Sequence, residues 1–119
     1  MNVTGSFINI TSENPARLGD FYRDTVGLQK QEGMGPYAFL FGGTTLAFDG
    51  HSETRGAAKE PTRVIFSMFV DDLAAEQKAL EGKGVKFLRT AGKEEWGGII
   101  STFADPDGNL MQLIEFKGA

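Results

Sequence analysis

The feature that most constrains this chain is an order of elements that occurs twice. Placing Pro15 on Leu73 puts Ile8 on Phe66, Asn9 on Ser67 and Ile10 on Met68. The apolar faces of two first strands then coincide, and two helices start in step. Identity between the halves is low, so the pattern carries the repeat. In the first half, Phe7 to Thr11 reads as a strand with Ile8 and Ile10 on one face and Phe7, Asn9 and Thr11 on the other. Asn14 suits a helix cap and Pro15 the first helical turn. Leu18, Phe21, Tyr22, Thr25 and Val26 share one helical face, and Gly27 ends it. A strand is expected around Leu28 to Glu32, then Tyr37 to Phe41 and Thr44 to Phe48, with Gly42-Gly43 as a hairpin turn.

The second half repeats this order. Arg63 to Val70 reads as a strand, and Asp71-Asp72 opens a helix that runs through Leu73 and Leu80 to near Lys83. Gln77 interrupts its apolar face. Strands follow at Val85 to Arg89, Gly98 to Phe103 and Leu110 to Phe116. Asp105-Pro106-Asp107-Gly108-Asn109 is turn chemistry between the last two, since proline fixes one dihedral and Asp-Gly tolerates positive φ. The expected fold class is α+β: two βαβββ modules with curved, mostly antiparallel sheets enclosing a concave cleft. The chain of 119 residues suits one domain. Module 1 spans about residues 5–49, a linker 50–62 and module 2 63–117.

Charge narrows the partners. The net charge is −4 and the basic residues are scattered singly, which argues against nucleic acid and against anionic membrane surfaces. No apolar run reaches the roughly 20 residues of a membrane span. Cysteine is absent, which removes disulfides, thiolate metal sites and cysteine nucleophiles. Met1-Asn2-Val3-Thr4-Gly5 lacks the features of a secretory leader, so a cytoplasmic location is expected.

Three segments carry a family resemblance. Asn14 to Leu28, with Phe21-Tyr22 and Gly27-Leu28, resembles the first-helix run of the vicinal oxygen chelate superfamily, which includes glyoxalase I, bleomycin-resistance and fosfomycin-resistance proteins and extradiol dioxygenases. Phe69-Val70-Asp71-Asp72-Leu73 looks like the start of that superfamily's second module. Trp96-Gly97-Gly98, followed by Phe103 to Leu110, looks like its ending. Together they span residues 7 to 116. The motifs are packing and turn chemistry, so they identify a fold and leave the reaction open.

The resemblance implies metal ligands on the first and last strands of each module. Counting back seven residues from Asn14 and from Asp72 gives Phe7 and Ile65, which have no donor atom. Counting four residues on from Gly43 and from Gly108 gives Ala47 and Gln112, of which only Gln112 offers an oxygen. A divalent ion needs at least three protein ligands in most sites. His51, the sole histidine, lies in the linker beside Glu53 and reads as a solvated loop residue. No nucleophile elbow is present, and Gly42-Gly43 and Gly97-Gly98 lack a P-loop context. Glu94-Glu95 read as a solvated rim. The expectation is therefore a bleomycin-resistance-like protein that binds a small organic molecule with no cofactor and no metal. The candidate ligand-binding residues are Phe7, Asn9, Thr45, Ile65, Ser67, Phe69, Trp96, Gln112 and Ile114. The alternative is a metal-dependent lyase, isomerase or dioxygenase of the same superfamily. A homodimer is expected from the resemblance. Trp96 has two readings, a lid stacking on ligand or a core plug.

Overall fold

Strand β1 (Phe7–Thr11) alternates as its sequence predicts, turning Ile10 into the core and leaving Phe7 and Asn9 exposed. The computed structural model describes residues 1–117. It divides into two units, Met1–Gly56 and a second beginning at Ala57. In the first unit, Asn14 caps helix α1 (Pro15–Asp20) by accepting the amide of Arg17 at 3.2 Å. The helix continues as wider π-helical turns over Phe21–Val26 and stops at Gly27, whose φ of 81° suits glycine. Spacing predicts one helix over this stretch, and hydrophobic periodicity does not separate the two windings.

Strands β2 (Ala38–Phe41) and β3 (Thr44–Asp49) complete a three-stranded sheet of order β1-β3-β2, with β1 parallel and β2 antiparallel to β3. Tyr22 from the helical segment stacks on Phe48 at 4.6 Å between ring centroids, and Leu18 and Leu46 are fully buried. Each such burial stabilises by about 1.5–3 kcal/mol. The strand expected at Leu28 to Glu32 is reduced to one bridge, Lys30 to Phe39. Backbone bonds from Gln31 N to the Ala38 carbonyl and from Leu40 N to the Gln29 carbonyl, both 2.8 Å, flank it. Only Leu28 among these residues is apolar, so the segment has little to bury and pairs briefly.

The second unit contains the full βαβββ order. It opens with a short 3-10 turn (Pro61–Arg63), then β4 (Ile65–Phe69), α2 (Leu73–Gly82), β5 (Phe87–Lys93), β6 (Ile99–Ala104) and β7 (Leu110–Glu115). The sheet order is β4-β7-β6-β5, with β4 parallel to β7 and the other pairs antiparallel. The β6–β7 hairpin turns at Asp105 to Asn109 as the sequence predicts. Asp105 accepts from the amides of Asp107 and Asn109 and from Asn109 Nδ2, each at 2.9 Å. Helix α2 is capped by Asp72, whose side chain accepts from Ala75 N at 3.1 Å. The Leu73 amide donates to Glu115 of β7 at 3.0 Å, which fixes the helix start on one face of the sheet. On that face Met111, Leu113, Ser101 and Phe103 are buried, with Leu73 and Leu80 buried on the helix.

The fold class is thus α+β: two helices and seven strands among the described residues, in two mixed sheets, each with free edges. No helix among the described residues is long and apolar enough to cross a membrane.

Candidate functional site

Each helix occupies one face of its sheet, and side-chain alternation gives the other face a separate set of residues with no helix over it. In the second sheet, strand register orders that open face into three rows. Ile65, Leu110 and Ala104 form the first, through the pairs Ile65–Leu110 and Ala104–Leu110. Ser67, Gln112, Thr102 and Arg89 form the second, through Ser67–Gln112, Thr102–Gln112 and Arg89–Thr102. Phe69, Ile114, Ile100 and Gly92 form the third. A polar row therefore crosses all four strands between two apolar rows.

The polar row is connected. The Ser67 hydroxyl donates to Gln112 Oε1 at 3.0 Å. Arg89 Nη2 and Glu94 Oε1 form an ion pair, with the two side chains 46% and 27% exposed. Beyond the third row, Trp96 packs edge-on against Phe116, 5.4 Å between centroids. Its ring lies where a Cβ at Gly98 would stand, so glycine there is what admits it. Trp96 is 50% exposed, a surface residue on the rim of the open face and not a core plug.

The candidate residues fall in both units. Ile65, Ser67, Phe69, Gln112 and Ile114 share the open face of the second sheet, with Trp96 at its margin. Ile65 and Phe69 are exposed and Ile114 is buried. Gln112 lies opposite the side that carries Glu115 and the helix. In the first sheet, Phe7 pairs with Thr45 and Asn9 with Ala47, all on the face away from the helix. Phe7 and Asn9 are exposed, whereas Thr45 is buried and its hydroxyl donates to Gln31 Oε1 at 3.5 Å.

Two members of the polar row were missed by sequence reasoning. Thr102 was recoverable: once the hairpin turns at Asp105 to Asn109, counting outward sets Thr102 opposite Gln112. Arg89 was not, because β5 shifts register on both sides of it.

The superfamily's metal positions do not fit a metal here. Phe7, Ala47 and Ile65 carry no donor atom, and the one oxygen of Gln112 accepts from Ser67. No group of three or more His, Cys, Asp or Glu side chains among the described residues could hold an ion. His51 is exposed, and its Nδ1 accepts the Glu53 amide at 3.1 Å.

Comparison with solved structures gives the fold independently. A superfamily member from Sphaerobacter thermophilus is 23% identical with a TM-score of 0.68, over 94% of this chain and 98% of that one. A glyoxalase/bleomycin resistance protein/dioxygenase family enzyme from Burkholderia phytofirmans is 16% identical with a TM-score of 0.74, over 92% and 96%. A lactoylglutathione lyase from Agrobacterium tumefaciens is 18% identical with a TM-score of 0.70, over 97% and 96%. No curated protein matches the chain. The sequence model that matches covers residues 6–113, nearly the whole chain, and its match shows that this protein belongs to the Glyoxalase/Bleomycin resistance protein/Dioxygenase superfamily.

Proposed function

We propose that the chain is a cytoplasmic, metal-independent binding protein that holds a small organic molecule against the open face of its second sheet. The observation that carries this reading is the exposure of large apolar side chains there, Phe69 at 76% and Ile65 at 41%, with Trp96 and Phe116 half-exposed beside them. Exposed apolar area set around a few hydrogen-bonding groups is the composition of a ligand site. Gln112 and Ser67 supply those groups at the centre of the face. The open face of the first sheet, with Phe7, Asn9 and Thr45, is a second candidate patch. Superfamily membership leaves the activity open, because one fold hosts lyases, dioxygenases and binding proteins. A metal-dependent lyase, isomerase or dioxygenase would need a ligand set that the carried-over positions lack.

Fluorescence titration with N-phenylnaphthylamine, an apolar aromatic probe, tests the reading. Trp96 is the only tryptophan and stands at the rim of the proposed site, so its quenching reports occupancy. The expected result is saturable quenching, weakened about threefold or more in Gln112→Ala with the fold intact, because the truncation removes side-chain contact area at the centre of the face. Failure of both this probe and its sulfonated analogue to quench saturably, or a variant indistinguishable from the parent, would count against the site.

A further inference from the structure

The polar row has an imbalance that narrows the ligand. Its one side-chain carbonyl, Gln112 Oε1, already accepts from Ser67. What the row still offers is chiefly donors: the Gln112 amide nitrogen, the Thr102 hydroxyl and the remaining N–H groups of Arg89. These stand on three neighbouring strands, within a row about 14 Å long given the usual strand spacing. Arg89 pairs with the Glu94 carboxylate, and that pair is partly solvated. Such pairs are worth little, so a ligand anion can displace the Glu94 carboxylate. A guanidinium takes a carboxylate or sulfonate through two parallel N–H groups. Aromatic surface from Phe69 and Trp96 lies at one side of the row.

We propose that this face selects an organic acid, an aromatic or otherwise apolar body carrying a carboxylate or sulfonate, with the anion on Arg89 and Thr102 and the body toward Phe69 and Trp96. The proposal rests on the binding reading above and goes beyond it in naming the ligand class. The net charge of −4 gives the chain no general attraction for anions, so any preference has to arise locally.

Two probes that share one aromatic body separate the claims: anilinonaphthalene sulfonate, which is anionic, and N-phenylnaphthylamine, its counterpart without the sulfonate. The quantity read is the ratio of their affinities. For the parent protein we expect the anion to bind about tenfold more tightly, the size of one charge-assisted hydrogen bond in a partly solvated site. Arg89→Gln should bring the ratio to within about twofold of unity, while Glu94→Gln, which removes the competing carboxylate, should raise it above the parent's. Arg63→Gln removes an equal charge from an exposed pair with Glu60 outside the row, and should leave the ratio as it is. A parent ratio near one, or an Arg89→Gln ratio equal to the parent's, overturns the proposal while leaving the binding reading in place. Saturable binding of neither probe overturns the binding reading itself.

Discussion

At the scale of single residues, two buried polar groups behave in opposite ways. Asp105 is 5% exposed, yet its carboxylate accepts three hydrogen bonds that close the β6–β7 turn. Asp105→Ala strands those donors in a buried site, and the expected cost is about 2–4 kcal/mol by chemical denaturation. Asp105→Asn keeps one acceptor oxygen and should cost less; equal losses would mean the turn does not depend on the carboxylate. Ser101 is fully buried on the helix-facing side of β6, and its hydroxyl has no hydrogen-bond partner among the described residues. Ser101→Ala removes an unsatisfied group at almost no change in volume. The variant should match or exceed the parent's stability, by up to about 1 kcal/mol, and a clear loss would reveal a hydrogen bond to Ser101. Gln77 Oε1 on α2 is likewise buried with no hydrogen-bond partner among the described residues, and Gln77 is the residue that breaks the helix's apolar stripe in the sequence.

At the scale of elements, legibility followed how much each segment buries and how regular it is. The first strands, both helix starts and the Asp105–Asn109 hairpin were readable, because alternation, caps and turn residues all act within a few positions. The strand expected near Lys30 is only a bridge, since its polar residues support no sustained pairing. Arg89 was lost to register: β5 carries irregularities on either side of it, and a shift by one residue reverses the face that a side chain shows. The site was therefore legible on β4 and β7 and not on β5. The elements also bear on assembly. β1 and β4 each lie at one edge of their sheets, and Phe7–Thr11 and Ile65–Phe69 contain no charged residue and no proline. Edges without such guards invite pairing with another strand, and we propose that two copies of the chain associate there. Light scattering across a concentration series should give a dimer mass, and Ile65→Lys should shift it toward monomer. A monomer mass at all concentrations would remove the proposal.

At the scale of the whole molecule, membership in the superfamily fixes the order of elements and leaves the chemistry to particular side chains. The repeated halves place Phe7 and Ile65 at corresponding positions of the two first strands, and neither can bind an ion. Gln112 stands where the resemblance implies a ligand, but its oxygen is engaged by Ser67 and its neighbours across the sheet are Ser67 and Thr102. The function then turns on whether small-molecule binding requires a metal. The most direct measurement is a probe titration of protein dialysed against chelator, repeated after adding one equivalent of zinc, nickel or manganese. The expected result is the same saturable Trp96 quenching, with the same midpoint, in every case. Quenching that appears only once a metal is added would contradict it and favour the metal-dependent enzyme.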